Sequence, residues 1–305
     1  MQRRTMRDLV DVGEGGVFDA GLEQRLRRRI ESAILVDGFR LASPVRLWKE
    51  RLNDLSRCQG LFAAHLAQEG EPFRYGRHSA EGTLVHKAIE LEAGSSRAFD
   101  PHELAGRAAT SLEEDRQFAP FWNGLDELAR DGLLMSAVQT LESFRASFPP
   151  LGALRRELVP VCEHWLEASV LDGAVTVVGK VDLVLNRPDP VRSTRVLIDL
   201  KTGRAWPDHP EDMRLYALLY TLRYGVPPFR VATLFLSSGM PQCELVTEEV
   251  LERAADRVAA AVRTATGLAS GAQPDLRPGP HCRRCPRRAT CPALAASPTS
   301  VPTVR

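Results

Sequence analysis

Two stretches decide how this chain is read: Val178-Gly179-Lys180-Val181-Asp182 and Val196-Leu197-Ile198-Asp199-Leu200-Lys201. Each sets an acidic residue in an apolar, β-branched run of the kind that forms a buried strand. A carboxylate there is desolvated at a cost of several kcal/mol, about that of any unpaired buried charge, unless a cation or a hydrogen-bond partner meets it. Strand periodicity puts Asp199 and Lys201 on one face and Leu200 on the other. Two acids and a lysine at one sheet edge suit metal-assisted cleavage of a phosphodiester. The acids hold Mg²⁺ or Mn²⁺, and the lysine offsets negative charge at the phosphate. Asp-x-Lys is short, and aspartates at strand ends also cap turns. Gly179 adds weight, since it permits close backbone approach three residues before Asp182. So does the lysine itself. The chain has 40 Lys+Arg, of which only Lys49, Lys87, Lys180 and Lys201 are lysine.

The 305 residues suffice for one large domain or two smaller ones. Hydrophobic content of 44% and charged content of 26% are those of an ordinary globular chain. The first residues lack a signal peptide's apolar stretch, and no run reaches the roughly 18 apolar residues of a membrane span. A cytoplasmic protein with no membrane partner is expected. A net charge of +1 neither demands nor excludes nucleic acid. The local basic patches are Arg25 to Arg29, Arg155-Arg156, and Arg283-Arg284 with Arg287-Arg288, each of which is otherwise a solvated surface.

Three of the six cysteines sit at Cys282-x-x-Cys285-x₅-Cys291 in a Pro- and Arg-rich segment. In a reducing compartment this spacing speaks for a metal site rather than disulfides. A fourth ligand is missing, and Cys58 is the expected one. A zinc site with His281 or His65 as alternative ligand, and free thiols, remain open. Cys162 and Cys243 lie in apolar runs and read as small core residues.

Residues 1–44 read as a lead, partly helical or disordered, with an amphipathic basic stretch from Leu22 to Ile30. A helix is expected over 46–68, and another from Thr83 to Leu91 with Gly82 at its start. Helices follow over about 95–150. Strands are expected at about 156–161, 165–171, 175–186 and 195–201, with Asp172-Gly173 as a hairpin turn. A helix from Glu211 to Tyr224, strands at 230–237 and 242–246, and a helix over about 248–268 complete the domain. The tail, 294–305, reads as disordered.

Taken together, these motifs resemble the PD-(D/E)XK nuclease superfamily, and within it the RecB-like nucleases, which include AddB-type and CRISPR-associated iron–sulfur exonucleases. Gly82-Thr83-Leu84-Val85-His86 is similar to the family's GxxxH, Gly179 to Asp182 to its GxxD, and Asp199-Leu200-Lys201 to its (D/E)xK. The resemblance spans roughly residues 45 to 293. It implies an α/β fold with a restriction-endonuclease-like αβββαβ core, a helical insertion and termini stapled by cysteines. It further implies a DNA nuclease of repair or recombination, an exonuclease acting on single strands or duplex ends. By this resemblance His86, Asp182, Asp199 and the Leu200 carbonyl hold Mg²⁺ or Mn²⁺. Lys201 polarises the phosphate and Glu157 supports the site. Cys58, Cys282, Cys285 and Cys291 carry a [4Fe–4S] cluster.

One departure stands out. Where relatives carry Gln-x-x-x-Tyr, this chain has Asp212-Met213-Arg214-Leu215-Tyr216. Asp212, Arg214 and Tyr216 are expected on a DNA-facing helix, with Arg214 or a cation neutralising the aspartate. A nuclease-fold subunit that binds DNA without cutting is the alternative function, and a zinc-stapled structural protein unrelated to DNA is a third. No G-x-x-x-x-G-K-[ST] loop is present, so any unwinding calls for a separate helicase.

Overall fold

The structure, a computed structural model, describes residues 8–295 apart from 149, 204, 205 and 207. In chain order the main elements begin with α1 (Leu22–Leu35), β1 (Val45–Trp48), α2 (Lys49–Arg57), α3 (Gln59–Leu66), α4 (Arg77–Gly94) and α5 (Pro101–Leu112). They continue with α6 (Phe118–Asn123), α7 (Glu127–Ser147), α8 (Arg155–Leu158), β2 (Val161–Val170), β3 (Val175–Leu185) and β4 (Val196–Lys201). Last come α9 (Asp208–Tyr224), β5 (Arg230–Phe235), β6 (Met240–Leu245) and α10 (Glu248–Ala269). They divide into two units, one of residues 1–23, 74–166 and 179–251, the other of 24–73, 167–178 and 252–305.

In the first unit β4 pairs antiparallel with β3, parallel with β5, and β5 antiparallel with β6. This strand order, with α4 before it and α9 between β4 and β5, is the expected αβββαβ core. Alternation sorts the strand residues. Leu183, Leu185, Ile198, Leu200, Ala232 and Leu234 join Leu84, Ala88 and Ile89 of α4 in one buried cluster. The stretch expected as an insertion supplies α5 and α7 to the same cluster through Leu104, Ala108, Leu133, Ala137, Leu141 and Phe144. Both helices start on an aspartate cap: Asp100 accepts from His102 N–H and Asp126 from Ala129 N–H, each at 2.8 Å.

α9 carries Asp212 and Tyr216, both buried, which corrects the expectation that this face meets DNA. A Cβ on Gly179 would lie 2.7 Å from the Tyr216 ring. The close approach that Gly179 permits is therefore filled by that ring. Gly179→Ala is expected to destabilise the protein by about 1–3 kcal/mol, as overpacking in a tight core does. Thermal or denaturant unfolding measures it, and a wild-type midpoint refutes the packing argument.

Part of the stretch expected as a partly helical or disordered lead, 1–44, is the helix α1. Leu22, Leu26, Ile30 and Ile34 recur every four residues on α1, and all are buried. The basic stretch on this helix is partly engaged: Arg29 pairs with Asp256 at 2.7 Å, and Arg27 donates to Ser169 O at 2.5 Å. The single helix expected over 46–68 is instead β1 followed by α2 and α3. Val45 to Trp48 pair in parallel with Val175 to Val178. Cys58 then interrupts the helix with extended backbone, φ −166°. Pro292–Ala295 form a helical turn, so the tail expected to be disordered begins with structure; its residues 296–305 lie outside the described residues. Among the described residues no helix is long and apolar enough to cross a membrane.

Candidate active site

β3 and β4 pair from Leu185 with Val196 to Leu183 with Ile198, and there the ladder ends. The Leu200 N–H donates instead to the Asp182 carboxylate, at 2.7 Å. Asp182 is thus held at the point where the two strands part. α4 brings His86 over the same point. Its Nδ1 lies 3.4 Å from Asp182 Oδ1 and 3.8 Å from Glu163 Oε1, and its Nε2 donates to Leu200 O at 3.1 Å. That bond to a carbonyl places a proton on Nε2 and leaves Nδ1 facing the two acids. Gly82, expected to start this helix, sits well inside it, and His86 lies mid-helix, in its third turn.

Glu163 is the residue that sequence reasoning missed. The expected strands 156–161 and 165–171 are in fact the short helix α8 and one continuous strand, β2. Within β2, Glu163 adopts φ +52°, a left-handed conformation that costs about 1–3 kcal/mol in a non-glycine residue and clusters at functional sites. The kink breaks the strand's alternation and turns the carboxylate toward His86. An acid inside Val161-Cys162-Glu163-His164-Trp165-Leu166 was the available signal. Glu157, expected in this supporting role, is instead exposed on α8. One ligand atom from each of His86, Glu163 and Asp182 lies within 4.8 Å of the others.

Charge is balanced locally. Burial would drive the proton off His86, but Asp182 and Glu163 outweigh it and raise the imidazole to about 10. Burial opposes the Asp182 charge too, and His86, Lys201 and the Leu200 N–H together lower the carboxyl to about 2. Lys180 pairs with Glu163. Lys201 Nζ stands 2.5 Å from Asp199 Oδ2, on a carboxylate that is almost wholly buried. Asp199, expected as a ligand, is therefore clamped by Lys201 and is not one of the three clustered groups. The Leu200 carbonyl, also expected as a ligand, accepts from His86 and keeps a second lone pair. A cluster of two acids and a histidine, with the buried Asp199 carboxylate nearby, fits a hard divalent cation.

His86, Glu163, Lys180, Leu200 and Lys201 border a cleft of about 660 Å³. Tyr75, His78, Thr83, Trp206 and His209 line its walls. Arg214 points elsewhere, into ion pairs with Glu244 at 2.8 Å and Glu211 at 2.5 Å.

In the second unit, Cys58, Cys282, Cys285 and Cys291 line one cavity of about 290 Å³. Arg277 N–H points at Cys58 Sγ at 3.5 Å and Gly279 N–H at Cys282 Sγ at 3.4 Å. Burial, then the neighbouring Cys282, Cys58 and Cys291, raise the Cys285 thiol above its ordinary value. Four thiols around one cavity, two of them met by backbone amides, fit a thiolate-bound metal or cluster. His65 is bound to Asp54 at 2.7 Å and does not line this cavity, whereas His281 does. Cys162 packs against the core of the first unit, while Cys243, expected as a core residue, is exposed on β6.

A split sheet edge carrying two acids, a histidine and a lysine defines the class of fold whose chemistry is hydrolysis of phosphodiesters. Residues 49–292 match the family model of the PD-(D/E)XK nuclease superfamily, and the chain belongs to that superfamily. No curated protein matches it. Among solved structures it is similar to a protein from Eubacterium rectale named "Putative exonuclease", at TM-score 0.47 and 12% identity over 85% of this chain and 91% of that one. It is also similar to SSO0001, at TM-score 0.37 and 14% identity over 89% of this chain and 95% of that one. The assignment rests on the family match and not on these two likenesses.

Proposed function

We propose that this protein is a Mg²⁺- or Mn²⁺-dependent deoxyribonuclease that trims DNA ends as an exonuclease in repair or recombination. The observation that supports the reading is the convergence of His86, Glu163 and Asp182, with His86, Glu163 and Lys201 opening onto one cleft. Those three side chains, with Asp199 and the Leu200 carbonyl adjoining, would hold the cation. The cation supplies positive charge that stabilises the developing oxyanion and activates water. Lys201 contributes a second positive charge, kept in place by Asp199. His86 is oriented through its Nε2 bond to the Leu200 carbonyl. The cleft walls, which include Tyr75 and Trp206, would set the strand's path.

The four cysteines would carry a [4Fe–4S] cluster that ties the segments of the second unit together, since Cys58 and the other three come from opposite ends of the chain. A separate helicase would supply unwinding. End-labelled single- and double-stranded DNA tests the reading. Shortening from the ends with Mg²⁺ or Mn²⁺, abolished by EDTA, is the expected result. Binding without cleavage under those conditions makes the protein the non-cutting subunit instead.

A further inference from the structure

We propose that Lys180 is a phosphate-binding residue of the cleft, whose ammonium leaves Glu163 when that carboxylate takes a metal ion and then holds a phosphate of the bound strand. The proposal rests on the nuclease reading above. It starts from a count. Only four of the 40 basic residues are lysines, yet Lys87, Lys180 and Lys201 all line this cleft. A guanidinium is a planar fork that locks onto one carboxylate, whereas an ammonium is compact and rotates freely between partners. A site whose cations must change partner favours lysine.

The three cleft lysines differ in what holds them. Lys87 is paired at 2.5 Å with Glu90 on its own helix. Lys201 is clamped on Asp199, which is buried. The partner of Lys180 is Glu163, one of the three residues gathered around His86 Nδ1. A divalent ion on Glu163 competes with that ammonium for the same carboxylate and repels it. Lys180 has somewhere to go, because its side chain is 51% exposed and lies on the cleft wall. A charged ammonium displaced from a carboxylate beside a phosphodiester site takes a phosphate oxygen next. Metal and strand then favour each other's binding, since the metal frees the cation the strand needs.

The test sets two measurements of opposite sign against each other. Calorimetry of Mn²⁺ binding without nucleic acid compares wild type with Lys180→Gln. Removing the competing ammonium is expected to tighten Mn²⁺ binding by about threefold or more. Binding of a labelled single-stranded oligonucleotide is then followed against salt in Lys201→Ala and in Lys201→Ala/Lys180→Gln, with Mn²⁺ present. The second variant is expected to bind more weakly, with a log–log salt slope shallower by about 0.7, the value of one phosphate contact on a single strand. Lys180→Arg keeps the charge and is expected to keep the slope. A Lys180 that only props up Glu163 gives weaker Mn²⁺ binding and an unchanged slope, and either result overturns the proposal. Melting temperatures identify any variant that fails to fold, in which case Lys180→Met replaces it. If the wild type binds Mn²⁺ and DNA yet cuts nothing, the nuclease reading fails while both binding measurements still decide Lys180.

Discussion

Asp199→Ala and Lys201→Ala are each expected to slow metal-dependent DNA cleavage by at least roughly two orders of magnitude, the loss typical of one preorganised electrostatic group. Lys201 reaches the cleft from the last residue of β4, where the strand parts from β3. Its ammonium is positioned by Asp199, 2.5 Å away and nearly inaccessible to solvent. Removing Asp199 releases that ammonium and deletes a candidate cation ligand in one step. Removing Lys201 leaves a buried carboxylate oxygen without its neighbour. Single-turnover cleavage of end-labelled DNA, with melting curves to verify folding, reads the effect. The two losses are expected to be strongly non-additive, because the residues act as a pair. Activity in EDTA, or rates within tenfold of wild type in both variants, would rule out this site.

Cys58→Ser carries the second large effect. Cys58 lines the same cavity as Cys282, Cys285 and Cys291, more than 200 residues later in the chain. A bridge across a loop that long stabilises by about 5 kcal/mol in the chain-entropy model. The unit it belongs to is assembled from three separate segments, so losing the bridge falls on the packing of all three. The variant is expected to lose iron and the absorbance near 400 nm of anaerobically purified protein, and to melt many degrees lower. Bound zinc in place of iron sinks the cluster assignment. Unchanged iron in Cys58→Ser would show that the fourth ligand lies elsewhere, with His281 the remaining candidate in that cavity.

Some of this site was legible in the sequence because strand geometry is strict. A period of two sets Asp199 and Lys201 on one face, and the structure keeps them in contact. Gly179 also signalled a close approach, and the Tyr216 ring provides it. Helix spacing correctly put Asp212 and Tyr216 on one face of α9. It carried no information on whether that face turned to solvent or to the sheet, since both are amphipathic solutions, and the structure buries both residues. Glu163 was illegible for a different reason. Its left-handed backbone breaks the alternation on which strand reading depends, so this carboxylate sat in what read as a gap between strands.

By itself, the sequence determined the superfamily, the αβββαβ order, the two strand acids with their lysine, and the four cysteines as a set. These follow from local periodicity and from residue types whose burial needs a partner. Only the tertiary structure decided that Glu163 and not Glu157 joins His86 and Asp182, that Asp199 is held by Lys201, and that the first helix belongs to a packed unit. It also decided that Lys180 stands on Glu163. Each depends on contacts between residues far apart in the chain, where a strand's kink or a ladder's end settles which side chains meet.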